Sequence, residues 1–156
     1  NRGGFGYTSP SAGPLTAAGT LCLQLLGYSK DEMCRRGLMY LANWDVKWEE
    51  EGDARKINRP LYHWYYCTQA KFQQGGQTWN QWNAMFAPVL VKNQDEDGHW
   101  GIPEKSAEGN DQVYSTTLCA LMLQVYYRYL PTYKPVEDVE TKEPEMGEDD
   151  IQIDIS

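Results

Sequence analysis

The chain has 156 residues, a formal charge of -8, six Trp and eleven Tyr, long enough for one modest domain with a buried core. The charge sits at one end: residues 135–156 carry nine acids and one base, which leaves 13 of each sign elsewhere. A balanced body without a basic patch argues against nucleic acid as a partner, and no apolar run approaches the roughly 20 residues that cross a bilayer.

Gly3-Gly4-Phe5-Gly6 opens the chain as a turn, and residues 8–13 continue as loop on their Ser, Pro and Gly content. Pro14 suits a helix start, where its missing N–H is harmless. Residues 15–26 then read as a helix that is apolar nearly all round and therefore buried, with Gly27 as its C-terminal cap. Ser29-Lys30-Asp31-Glu32 has the form of a capping box. Behind it Met33, Gly37, Leu38, Leu41 and Trp44 make one stripe at helical spacing, the mark of a helix packed on one side only. Residues 45–59 are charged and aperiodic and are expected to form an exposed loop.

Pro60 opens a second buried helix over 61–73, which stops at Gly75-Gly76. Thr78-Trp79-Asn80-Gln81 predicts a second capping box, followed by a one-sided helix carrying Trp79, Trp82, Met85, Phe86, Val89 and Leu90. It runs into Gln94-Asp95-Glu96-Asp97-Gly98-His99-Trp100-Gly101. A loop over 102–109 leads to Asn110, expected as an N-cap, and to a third buried helix over 112–129, ended by Pro131 and Pro135.

The chain repeats itself. When Gly98-His99-Trp100-Gly101 is set over Gly3-Gly4-Phe5-Gly6, with two extra residues in the later loop, Thr117-Leu118-Cys119 falls on Thr20-Leu21-Cys22. Alternation of buried and one-sided helices implies two concentric layers, an inner row wrapped by an outer one. Starting at Asn1 inside a shortened copy of the motif, the chain reads as a piece of a longer protein. Two units result: a helical domain over 1–134 and an acidic tail over 135–156. The tail has too little apolar content to fold alone and is expected to be solvated, although Ile151, Ile153 and Ile155 alternate in a way that suits strand addition to a partner. The four cysteines show no CxxC or zinc-ribbon spacing. Three of them, Cys22, Cys67 and Cys119, occupy matching points of the buried helices and read as buried thiols, a disulfide between neighbouring helices being the alternative.

Gln94-x3-Gly98-x-Trp100 between an outer and an inner helix resembles the repeat of terpenoid cyclases and protein prenyltransferases, the α/α-toroid or squalene-cyclase-like superfamily. Tyr65-Tyr66-Cys67-Thr68-Gln69-Ala70, Val113-Tyr114-Ser115-Thr116-Thr117-Leu118 and Tyr126-Tyr127-Arg128-Tyr129-Leu130-Pro131 look like segments of bacterial prenyltransferase and squalene-oxidase repeat proteins. The likeness covers 1–131 with one intact motif; the middle repeat offers only Trp44, Trp48 and Gly52. It implies an all-α fold, an arc of an α/α toroid with about five main helices, too few for a closed ring. In that setting Gln94, Gly98 and Trp100, with Gly3 and Phe5 in the reduced copy, are structural staples: the amide caps neighbouring helix ends and the indole stacks across the turn.

The same likeness directs attention to chemistry that this sequence lacks. Cyclases of this kind protonate a polyene from an Asp-x-Asp-Asp acid held in a shielded site. Here Asp95-Glu96-Asp97 lies in the staple turn and Glu148-Asp149-Asp150 in the tail, so both read as solvated acids. Prenyltransferases hold zinc with an aspartate, a nearby cysteine and a later histidine. Tyr62-His63 is similar to their tyrosine–histidine pair and Asp111 stands at the aspartate position, but Val113 replaces the cysteine and the chain order is wrong. No metal and no cofactor are expected, and His63 reads as a hydrogen-bonded histidine near a helix start. The Cys-Gly-Glu-Gln of the thioester domains that share the toroid is absent.

What remains is aromatic. Tyr62, Trp64, Tyr65, Tyr66 and Phe72, with Tyr114 and Tyr126, are either interhelix packing or the lining of an apolar cavity. If a cavity exists, Tyr62, His63, Trp64, Tyr66 and Tyr114 form its rim. With staples present and no catalytic residue in view, the expected function is a binding or scaffold module for a protein or an apolar ligand. The alternative is part of an isoprenoid-processing enzyme, a cyclase-type isomerase or a prenyltransferase, whose acid or metal lies outside this chain. A third reading makes the acidic tail a peptide ligand.

Overall fold

The computed structural model of the chain describes residues 4–6, 8, 13–48, 59–103, 111–127 and 136–139. Five helices form within them: α1 (Gly13–Leu25), α2 (Glu32–Leu41), α3 (Pro60–Gln74), α4 (Gly76–Lys92) and α5 (Gln112–Leu123), the last continued by a 3-10 turn over Gln124–Tyr127. Among the described residues there is no strand, only an isolated bridge between Gln94 and Trp100. The fold class is all-α, as the helical periodicity requires. None of these helices is long and apolar enough to cross a membrane.

Local chemistry sets most helix ends, though not always at the residues the spacing suggests. Behind α1 the N–H of Tyr28 reaches the carbonyl of Leu23 at 2.9 Å and that of Gly27 reaches Gln24 at 3.0 Å, the paired bonds of a Schellman cap. The cap of α2 is Asp31, not Ser29: its carboxylate accepts from the N–H of Met33 at 2.7 Å. Ser29 is drawn away because it bonds the carboxylate of Asp138 instead. The second capping box does not form either. Gly75 (φ +67°) and Gly76 (φ +52°) take left-handed conformations that glycine alone adopts at no steric cost. The chain therefore turns from α3 into α4 within one residue, and Thr78 is already inside the helix. For α5 the cap is Asp111, which accepts from Val113 and Tyr114 at 3.0 and 3.1 Å; Asn110 lies outside the described residues.

Helix α3 is the centre of the packing. It lies between α1 and α5 and also carries α4, with α2 resting on α1 and touching α3 more lightly. Leu61, Trp64 and Cys67 of α3 share one core with Trp82, Phe86 and Leu90 of α4, Cys119 and Met122 of α5, and Leu41 and Trp44. Each large side chain buried here contributes about 1.5–3 kcal/mol. The α1–α2 contact is close because of what is missing: a Cβ on Gly37 would run into the hydroxyl of Thr20.

Three expectations change. Helix α1 is not buried all round. Its inward stripe is Thr16, Ala17, Thr20, Leu21 and Gln24, whereas Cys22 and Leu26 are exposed. Thr16, Ala17 and Thr20 face inward, Thr20 where α2 approaches closely at Gly37, while Leu23 and Leu25 lie half-buried on the flanks. Residues 45–48 are not merely exposed loop: Val46 is buried beside Trp44, and Trp48 lies 6.1 Å from Trp64 between ring centroids. The described part of the tail, 136–139, is docked on the α1–α2 turn. Val139 donates to the carbonyl of Gly27 at 2.7 Å, and Asp138 pairs with Lys30 at 3.0 Å.

Candidate functional site

The motif turn has a definite geometry. Its backbone closes through Asp95 N–H to His99 O and Gly98 N–H to Asp95 O, both 2.9 Å, and Gly98 sits at φ +91°, where a side chain would be strained. The Gln94 amide donates to Gly98 O at 2.9 Å, so it fastens the turn itself. His99 is flanked by Asp97 on Nδ1 and by Asp95, 2.9 Å from Nε2. Trp100 is buried, and its indole N–H donates to Leu90 O at 2.8 Å on the last turn of α4. On its other side the backbone of Trp100 meets α5: its N–H donates to Thr116 Oγ1 at 3.1 Å, and its carbonyl accepts from Ser115 Oγ at 2.5 Å.

Phe5 is held in the same manner. Its N–H donates to Thr16 Oγ1 at 3.0 Å, and its ring lies over Gly19, where a Cβ would come within 2.6 Å of Phe5 Cγ. Gly3 lies outside the described residues. These two tethers do not occupy positions paired by matching Thr20-Leu21-Cys22 with Thr117-Leu118-Cys119, because the loop from Trp100 to its hydroxyls is longer. Spacing gave no warning of the hydroxyls themselves.

The five aromatic-rim candidates separate. Tyr62 and Tyr66 meet edge to face at 4.8 Å, and Tyr65 adds a second edge contact to Tyr66 at 5.2 Å. Burial, then the neighbouring Tyr62, pushes the Tyr66 phenol up to about 12. His63 and Trp64 are buried on another side of α3, His63 edge-on to Trp44 at 4.9 Å and Trp64 beside Trp48. Tyr114, half-buried on α5, packs against the core.

His63 also has Cys67 Sγ 3.4 Å from its Nε2, a pairing that elsewhere makes a nucleophile. Here burial dominates. It lowers the imidazole to about 3 and raises the thiol to about 12, so both groups are neutral at physiological pH and the reactive thiolate is not formed. No cluster of metal-binding side chains occurs among the described residues, and all four cysteines are free.

A different arrangement stands out between α2 and α4. A groove of about 750 Å³ is walled by Arg35, Leu38, Met39 and Ala42 of α2 and by Thr78, Gln81, Trp82 and Met85 of α4; Ser29 and Lys30 close one end, and Lys71 and Gln74 of α3 form the floor. Three of these residues are cationic, and no acid is among the described residues that line it. Lys71 is only 4% exposed. Its ammonium sits 4.0 Å from the centroid of the Trp82 ring, a cation–π contact, and Trp82 is fixed by its own N–H to Thr68 Oγ1 at 2.9 Å. Among the described residues no carboxylate lies within ion-pair distance of Lys71, and burial lowers the pKa of its amine. A buried cation held by a ring face beside a groove with no acid among its described lining residues has the chemistry to pair with an anion. The sequence does hold a trace of this: Lys71 is the single Lys, Arg, Asp or Glu in α3, a helix otherwise apolar or uncharged.

The chain matches no protein-family model, no curated protein and no solved structure. The toroid likeness thus rests on the motif and on the order of helices.

Proposed function

We propose that this chain is a binding module of the helical-repeat, α/α-toroid kind, which takes the acidic part of a ligand or protein partner in the groove between α2 and α4. One observation carries the reading: among the described residues, Lys71 is buried without a carboxylate in ion-pair contact, at the floor of a groove lined by further cations and no acid. Burying a charge that has no carboxylate in direct contact destabilises a fold. Burial disfavours the Lys71 ammonium more than Cys67 and Asp45 favour it, and a ligand that supplies a direct counter-charge offsets the remaining penalty on binding. Leu38, Met39, Trp82 and Met85 give the groove apolar walls, so the preferred ligand combines a negative group with apolar surface. The module acts by holding its ligand; the Trp100 tether fastens α4, one wall of the groove, to α5.

The test uses 8-anilinonaphthalene-1-sulfonate, which joins an anion to apolar rings. Titrated into the full chain at low salt, the dye is expected to bind one saturable site. Arg35→Glu, on the exposed wall, should weaken that binding at least tenfold while circular dichroism stays unchanged. Dye binding indifferent to Arg35→Glu and to Lys71→Met would remove the groove from consideration.

A further inference from the structure

We propose that the ligand of the groove between α2 and α4 is a small single-tailed amphiphile, an unbranched carboxylate with an apolar chain, and not the acidic face of another protein. This assignment rests on the anion-binding reading of the groove and narrows it to one class of ligand. Three observations carry it.

The first is that the groove's chemistry is sorted along its length. Helix α4 packs antiparallel to α3: Thr68 is hydrogen-bonded to Trp82 at 2.9 Å, and Phe72 meets Trp79 at 5.0 Å between centroids. Helix α1 runs parallel to α3, with Gly13 beside His63 and Gln24 bonded to Ala70 O. After the turn at Gly27, α2 returns along α1 and brings Gly37 to Thr20. The two walls therefore point the same way. Toward their N-termini they present Arg35, Thr78 and Gln81, with Ser29 and Lys30 beyond; toward their C-termini they present Leu38, Met39, Ala42, Trp82 and Met85. Lys71 and Gln74, in the last turns of α3, lie at the polar end. A head and a tail in series fit that order, whereas a protein face that alternates acids with apolar side chains does not.

The second is size. On each wall the lining residues span two helical turns, Arg35 to Ala42 and Thr78 to Met85, about 10.5 Å at 1.5 Å per residue. A groove of about 750 Å³ falls within the range of small-molecule sites. A stable protein interface buries about 800 Å² on each partner, more than two walls of this length supply.

The third is charge. Among the described residues neither Arg35 nor Lys71 has a carboxylate in ion-pair contact, whereas Lys30 is taken by Asp138 at 3.0 Å. Two open cations at one polar end suit a single compact anion. The Lys71 ammonium, 4.0 Å from the Trp82 ring centroid, marks where head gives way to tail.

The experiment uses the full chain at low salt and measures displacement of 8-anilinonaphthalene-1-sulfonate by butanoate, hexanoate and octanoate. An extended chain advances about 1.3 Å per bond, since three bonds span about 3.8 Å, so octanoate reaches about 9 Å and stays within the walls. Affinity is expected to rise about fourfold per methylene, or about fifteenfold from hexanoate to octanoate. Octylammonium should not compete. Met39→Ser, at a groove position 72% exposed, should weaken octanoate at least threefold and leave butanoate unchanged. Equal competition by all three carboxylates, or by none, with dye binding still dependent on Arg35, would overturn the amphiphile and leave the groove standing. Displacement by a hexaglutamate peptide but not by octanoate would do the same and make an acidic protein the partner. Octylammonium competing as well as octanoate would overturn the head assignment. Dye binding indifferent to both Arg35→Glu and Lys71→Met would overturn the groove and this inference with it.

Discussion

Trp100 makes two kinds of contribution that can be separated by substitution. Its indole N–H bonds Leu90 O at 2.8 Å, but that carbonyl also accepts from Asn93 N–H at 3.1 Å. Trp100→Phe therefore leaves no orphaned acceptor and should cost only about 1 kcal/mol; Trp100→Ala, which empties a buried site between α4 and α5, should cost about 3–5 kcal/mol. Urea denaturation distinguishes the two. Asp111→Ala removes an N-cap with two acceptor bonds and is expected to lower stability by about 1 kcal/mol, with the loss local to α5 in hydrogen exchange. His63 makes a pH prediction. Unfolded, it binds a proton below about 6.5; folded, burial holds its pKa near 3. Between those values unfolding takes up a proton, so stability is fully present above about 6.5 and falls as pH drops, by roughly 1.4 kcal/mol per unit. Thermal melts at pH 7 and pH 5 should show a larger fall in Tm for the unaltered chain than for His63→Gln.

At the scale of the element, the α1–α2 contact depends on a missing side chain. Gly37 lies in the middle of α2 against the buried hydroxyl of Thr20. On helix propensity alone Gly37→Ala would stabilise by about 1 kcal/mol. Overpacking of the interface costs about 1–3 kcal/mol and decides the sign: a net loss is expected. Thr20→Ala should relieve it, and the double-mutant cycle should show a coupling above about 0.5 kcal/mol. Helix positions were legible to within a turn, because periodicity and Pro or Gly punctuation are local. Cap residues were less so. Ser29 forms half of a capping box by spacing, yet a carboxylate 109 residues away takes its hydroxyl, and no local pattern records such a partner.

For the molecule as a whole, Lys71 sets stability against binding. Lys71→Met keeps the stem over Trp82 and removes a buried charge with no carboxylate partner among the described residues. The variant should melt several degrees higher and lose Arg35-dependent dye binding. A fall in Tm together with undiminished binding would show that the ammonium is structural. The opposite ends of the sequence meet here, since the tail at Asp138 and Val139 closes on the turn after α1.

By itself the sequence determined that five helices form, roughly where they start and stop, and that Trp100 and Gly98 sit in a tight turn between two of them. Those outcomes follow from short-range forces: backbone conformations open to Gly and Pro, and apolar side chains recurring every three or four residues. Tertiary structure decided which side of each helix is buried, that Thr16, Ser115 and Thr116 tether the motif aromatics, and that Tyr62 and His63 part company on α3. It also decided that a lone lysine becomes the floor of a groove. Burial, hydrogen-bond partners and the field at a charge depend on neighbours brought together from distant parts of the chain, and these come into being only when the helices pack.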